Sequence, residues 1–313
     1  MKQEFDFYDK TSLKSYNLNE SMRYQLNRLS SLDVFTLKHS ENVASITCKM
    51  CQKLKLNKTF TVYCTMCAYL HDIGKMFIPP EILQKNGKLT DEEYEIMKTH
   101  TTIGYQMCME DPKLRPYANG PLYHHEGLDG SGYPNGVVKE DLPFEAQIIR
   151  AADEFDAIVS KRQYKSHIDV SETLKIIADK TIPAYKTGRT NAKNPKYSQI
   201  NPQVVHVLLE VVEEETNYEI HCVENYVKHI LDQIKRLEQL SEYIIEYENA
   251  TKPRDKHDYM ELIKYNLQPG ETLDNYKQVL ADYNKAYGIR KAHIDKLIQE
   301  IQKIREIEVD NWI

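Results

Sequence analysis

The stretch YLHDIGKMFIPP, residues 69 to 80, ends an apolar helical pattern on His71 and Asp72, two groups that are costly to desolvate side by side. Similar residues fall within or at the ends of other helical patterns: His39 in TLKHSENVA, His100 in MKTHTTIGY, His124 and His125 in YHHEGLDGSGYP, and Asp153 in IRAADEFDA. Five of the eleven histidines are involved, all before the loop that starts at residue 127. Any one of them alone reads as an ordinary core or surface residue. The adjacent pairs His71 with Asp72 and His124 with His125 point to a metal site. Imidazole and carboxylate suit borderline divalent ions, and an Asp between two sites can offer one oxygen to each. Facing helices that project such residues inward build two-metal centres.

Helices must do this positioning, and the chain is written for them. Gly (11) and Pro (12) are scarce in 313 residues, which argues against a sheet-rich sandwich and for a mostly α fold. Residues 1 to 32 are polar and read as a loose arm with one short helix. Helical patterns follow over about 33 to 54 and 58 to 73. Thr90 with Glu93 forms a capping box opening a helix expected to reach about 110. Another helix ends near YHHE, a turn-rich loop covers 127 to 143, and the spacing Ala146, Ile149, Ala152, Phe155, Ile158 restores a helix. Residues 181 to 202 read as a long basic loop whose cations Lys186, Arg189, Lys193 and Lys196 are either solvated or flank an anionic substrate. Beyond it, stripes such as Val227, Ile230, Ile234, Leu237, Leu240 and Leu273, Tyr276, Leu280, broken at Pro253, Pro269 with Gly270, and Gly288, predict a C-terminal helical bundle or hairpin.

A net charge of -6 gives no general attraction to nucleic acid or anionic membrane. Neither a secretory h-region nor a run of roughly 18 apolar residues is present, so a cytoplasmic protein is expected, with no membrane and no nucleic acid polymer as partner. The pairs Cys48 with Cys51 and Cys64 with Cys67 have zinc-ribbon spacing but lie in helical patterns without Gly or Pro, so buried packing thiols are the expectation. GLDGSG follows a His-rich helical segment and no strand, which sets aside a Rossmann loop. The Asn19 and Asn57 sequons lack a secretory context.

HDIGK together with HHEGLDGSGYP closely resembles the HD-GYP phosphodiesterases, a branch of the HD metal-dependent phosphohydrolases. LKHSENVA, KTHTTIGY and AADEFDAIVSKRQYK extend the resemblance over about residues 22 to 214. It implies an all-α HD-type catalytic domain at 22–214, preceded by an arm at 1–21 and followed by a helical module at 215–313. The implied activity is hydrolysis of cyclic di-GMP, to the linear form or on to GMP. By matching position, the implied metal ligands are His39, His71, Asp72, His100, His124, His125 and Asp153, with Asp72 bridging. Lys75 would sit near the attacking water and the scissile phosphate, Arg162 and Lys165 would hold substrate phosphate, and Gly132, Tyr133 and Pro134 would form the signature loop. Two divalent ions, iron or manganese first, would acidify a shared water to hydroxide, align it with phosphorus and neutralise the charge built on the oxygens. Metal binding would also compensate the burial of His71 and Asp72.

Some relatives carry a Glu one turn before the first His, associated with a third metal. Phe35 stands there, so two ions are expected. Gln163 replaces the usual Pro, VVKEDLP replaces a Gly-containing stretch, and the 181–202 segment is longer than the usual link. Other readings keep the metals but change the substrate to cyclic GMP-AMP or a simpler nucleotide. A further reading makes the chain a non-catalytic scaffold whose Tyr133 loop meets a diguanylate cyclase. The C-terminal helices are read as packing, a homodimer surface or a regulatory module.

Overall fold

The computed structural model describes residues 20–32, 34–162 and 169–309, without the side chains at 32, 34 and 160–162. Among these residues there is no strand, only one isolated antiparallel bridge between Asp129 and Val138. The all-α expectation holds. Of the expected arm, residues 1–19 lie outside the described ones.

Two compact units divide the chain. The first takes the described residues up to Val212 together with those from Ile304, and the second is Glu213–Lys303. The division falls at 212/213, beside the proposed boundary at 214/215, and the chain rejoins the first unit at Ile304. Ile304 lies in the core of the first unit, with Ile307 and Val309 packed against that core.

In the first unit, α1 (Glu20–Leu32) buries Met22, Leu26 and Leu29, one face at helical spacing. It packs on α2 (Val34–Lys53), which lies against α3 (Lys58–Leu70). The Asn57 side chain accepts a hydrogen bond from the Phe60 amide at 2.9 Å, capping α3 at one of the two sequons. Cys48, Cys51, Cys64, Cys67 and Cys108 are buried thiols of this core.

After α3 the chain makes a 3-10 turn over Ile73–Phe77 and a short α4 (Pro80–Leu83). The capping box of Thr90 and Glu93 then opens α5 (Asp91–Lys98). This helix does not run on to 110. The Thr99 hydroxyl donates to Ile96 O at 2.6 Å and His100 Nδ1 to Met97 O at 2.6 Å, so side chains take carbonyls that the helix would use, and a separate α6 (His100–Glu110) begins. α7 (Asn119–Tyr123), α8 (Phe144–Arg162), α9 (Val170–Asp179) and a one-turn α10 (Ala184–Thr187) complete the sequence up to α11 (Pro202–Asn249). α8 packs against α2 and α9, burying Ala146, Ile149, Ala152 and Phe155.

The second unit continues α11 and adds α12 (Pro253–Asn266) and most of α13 (Tyr276–Arg305). Leu237, Leu240, Ile263 and Tyr276 form its small core. Arg236 grips Glu271 with two hydrogen bonds of 2.8 and 2.6 Å. Gly288 does not break α13, since one helical glycine costs only about 1 kcal/mol. No described helix is long and apolar enough to cross a membrane.

Candidate metal centre

Five elements of the first unit carry the seven residues. His39 stands in α2, His71 and Asp72 directly follow α3, His100 opens α6, His124 and His125 follow α7, and Asp153 lies in α8. Gly74 explains how two of these elements meet. A Cβ there would lie 2.0 Å from His100 O, so only glycine lets the turn after Asp72 press against the start of α6.

The ligand-capable atoms gather into overlapping groups, each within 4.8 Å: His39, His71 and Asp153; His100, His124 and His125; and His71, Asp72 and His124. Asp72 spans them. Its Oδ2 lies 3.2 Å from His71 Nε2 and 3.7 Å from His39 Nε2, while its Oδ1 lies 3.4 Å from His100 Nε2 and 3.9 Å from His124 Nε2. Asp153 Oδ1 is 2.9 Å from His39 Nε2, and Oδ2 is 3.8 Å from His125 Nδ1.

Backbone carbonyls orient the rings. His71 Nδ1 donates to Ala68 O at 2.7 Å, His100 Nδ1 to Met97 O, and His124 Nδ1 toward Gly120 O and Pro121 O at 3.0 and 2.9 Å. A carbonyl accepts only, so each Nδ1 keeps its proton and each ring turns its Nε2 inward. In His100 and His124, which burial holds neutral, the two Nε2 lone pairs face each other at 3.2 Å. His71 Nε2 and Asp72 Oδ1 are buried with no hydrogen-bond partner. Opposed lone pairs and orphaned acceptors fit cations placed among them, and the donor set suits divalent ions.

The electrostatics agree with that fit. Burial pushes His100 down to about 4 and His125 to about 3, and holds His124 well below its usual range. Asp72 is ionised despite complete burial, because His71 and Lys75 pull it well below the carboxylate range. His39 is the exception. Burial acts to lower it, but hydrogen bonds to Asp153 and Asp156 outweigh burial and push it up to about 9. A divalent cation attracted by the same carboxylates competes with the Nε2 proton, as ligand histidines require.

Lys75 places Nζ 2.6 Å from Asp72 Oδ2, with its side chain only partly exposed. Tyr133 stacks on His125, ring centroids 4.7 Å apart, and the Tyr133–Pro134 peptide is cis. At Gly132 a Cβ would meet His125 O and Glu126 Cα at 2.4 Å, so the loop can lie on the His pair only with glycine there. Arg162 ends α8, its side chain outside the described residues, and Lys165 lies outside them altogether. Phe35 is exposed one turn before His39. No cysteine belongs to the metal-capable groups among the described residues.

Two of the loop cations do not stand free for substrate. Arg189 pairs with Asp129 at 3.4 Å, and Lys193 donates to Asn135 O and Gly136 O. The sequence reading missed Asp156, which accepts from His39 Nδ1 at 2.7 Å, and Asn42, which donates to Asp156 at 3.0 Å. Their signal was available: Asp156 lies three residues after Asp153, and Asn42 three after His39, the spacing of one helical face. It also missed Tyr94 and Lys98 of α5. Tyr94 meets Tyr133 edge-on, and Lys98 Nζ lies 5.3 and 5.7 Å from the two ring centroids.

Residues 23–182 match the HD domain family. The chain is 37% identical over 184 residues to a cyclic di-GMP phosphodiesterase of Thermotoga maritima, covering 56% of this chain and 50% of that protein. It is 41% identical over 127 residues to the cyclic di-GMP phosphodiesterase response regulator RpfG of Xanthomonas campestris pv. campestris, covering 40% and 34%. It is 32% identical over 145 residues to 3'3'-cGAMP-specific phosphodiesterase 3 of Vibrio cholerae serotype O1, covering 46% and 32%. The chain spans half or less of the length of these relatives.

Proposed function

The chain belongs to the HD domain family, in its HD-GYP branch, and from that premise we propose that it is a metal-dependent phosphodiesterase that hydrolyses cyclic di-GMP. The observation that carries the reading is the place of Asp72, one oxygen toward His71 and His39 and the other toward His100 and His124. His39, His71, Asp72 and Asp153 would hold one divalent ion, and Asp72, His100, His124 and His125 a second, with iron or manganese as the metal. When bound, such ions supply Lewis acidity toward water and phosphate oxygens.

The side chains do the rest of the work. Lys75, anchored on Asp72, sets an ammonium beside the donor groups, where it complements a non-bridging phosphate oxygen. Tyr133, held flat on His125, offers a wall against which a base or ribose can rest. Arg162 and Lys165 are proposed phosphate contacts on the resemblance alone. A diguanylate cyclase meeting the signature loop, and a homodimer through the second unit, belong to the same proposal.

The 3'3'-cGAMP-specific relative supports a second reading in which the mixed dinucleotide is preferred. A panel of cyclic di-GMP, 3'3'-cyclic GMP-AMP and cyclic di-AMP, each incubated with protein loaded with iron or manganese and resolved by product chromatography, separates the readings. Linear product from cyclic di-GMP at the highest rate is expected. No product from any of them overturns the proposal.

A further inference from the structure

The signature loop is held from both sides by opposite charges. The Glu126 carboxylate accepts the amides of Asn135, Gly136 and Val137 at 2.7, 2.9 and 3.2 Å. Across the tip, Lys193 Nζ donates to Asn135 O at 3.0 Å and Gly136 O at 2.6 Å. Both the N–H and the C=O of two successive residues are thus fixed by ionised side chains, in charge-assisted bonds stronger than neutral ones.

Lys193 is one point of a longer attachment. Asn194 N donates to Asp129 O at 2.9 Å, Leu128 N to Gln199 O at 3.1 Å, and Gln199 Nε2 to Ser131 Oγ at 3.2 Å. Arg189 faces the buried Asp129 carboxylate, and the Tyr197 hydroxyl donates to Glu140. Tyr197 also packs on the small apolar cluster of Leu128, Leu142 and Ala146 beneath the loop. Apart from Tyr197 against Ala146 of α8, every contact in this series joins the segment 189–199 to the loop 127–142.

The loop passes this restraint to the metal centre. Two residues before the clamped tip, Tyr133 N donates to His125 O at 3.3 Å, and the Tyr133 ring stacks on the His125 imidazole. A loop left to its own glycines would sample many conformations, and its ordering would have to occur on substrate binding.

We infer that the 189–199 segment is a clasp that pre-orders the signature loop, with Lys193 as a positioning residue for Tyr133 and thereby for substrate affinity. The inference rests on the proposed phosphodiesterase function for its kinetic consequence, but not for its structural one. It also assigns the basic segment a role distinct from flanking the substrate with free cations.

The test compares the full chain with Lys193→Met and Lys193→Arg by amide hydrogen exchange and by cyclic di-GMP kinetics at equal metal content. In Lys193→Met the amides of residues 133–138 exchange faster and KM rises by at least about fivefold, the factor for a single hydrogen bond of ordinary net strength and so a lower bound for the two charge-assisted bonds lost, while kcat stays within about twofold. Lys193→Arg restores both readouts. Unchanged exchange in Lys193→Met overturns the clasp, as does a KM that does not move or a loss of kcat that follows lost metal. Exchange needs no turnover, so it decides the clasp even if wild-type protein leaves cyclic di-GMP intact, a result that would count against the proposed substrate instead.

Discussion

Asp72 reaches His100 through Oδ1, which lies 3.4 Å from His100 Nε2, and leaves its other oxygen for the opposite side of the centre, where His71 Nε2 waits at 3.2 Å. A carboxylate set in this way joins two groups of imidazoles that come from different helices. Asp72→Asn keeps the shape and removes the charge. The variant is expected to remain folded by circular dichroism, to lose both ions by elemental analysis, and to lose turnover by at least about 100-fold, more than loss of an outer partner costs.

Asp156 acts one step away, through His39 Nδ1. Asp156→Asn leaves every proposed ligand in place but loosens the His39 ring. A fall in metal affinity of about 10- to 100-fold is expected by competition with a chelating dye. Affinity equal to wild type would show that the ring is oriented by other contacts.

Gly74 sets how closely the turn after Asp72 approaches α6. Gly74→Ala forces backbone apart at the centre and should cost about 3 kcal/mol, the upper end for overpacking. Urea unfolding measures the loss, and metal content should fall with it.

Metal addition should stabilise the first unit, because it satisfies His71 Nε2 and Asp72 Oδ1 only when folded. With free metal at 100 times Kd the gain is about 2.7 kcal/mol, or roughly 5 to 10 °C in Tm for a unit of this size. Calorimetry with and without chelator reads it.

In the second unit the hydrogen bonds from Arg236 hold Glu271 below the usual carboxylate range. A carboxylate depressed on folding contributes stability above its unfolded pKa and loses it as pH falls through the folded one. Wild type and Glu271→Gln should therefore differ in chemical-denaturation stability at neutral pH, by about 1 kcal/mol after solvent screening, and converge below about pH 4.

Much of this centre was legible because imidazole and carboxylate groups break the apolar pattern of the helices that carry them. His71 and Asp72 after α3 and Asp153 within α8 are visible for that reason. Helix starts were equally readable where a cap fixed them, as at Thr90. Interruption at Thr99 was not, since it depends on which carbonyls Thr99 and His100 take after folding. Asp156 showed in the sequence only as a second carboxylate one turn after Asp153, and its partner His39 is seen only once α2 and α8 are packed together. The partners of Lys193 and Arg189 were hidden for a related reason: they are loop groups some sixty residues earlier, a pairing that helical periodicity does not encode. Gly288 misled in the opposite sense, as a lone glycine is affordable inside a long helix.

Asp72 is proposed to join two ion sites in one chain. Elemental analysis of anaerobically purified full-length protein, beside Asp72→Asn prepared in the same way, tests it most directly. Two iron or manganese ions per chain in the wild type and close to none in the variant are predicted. A single ion that survives the substitution would contradict the bridging arrangement.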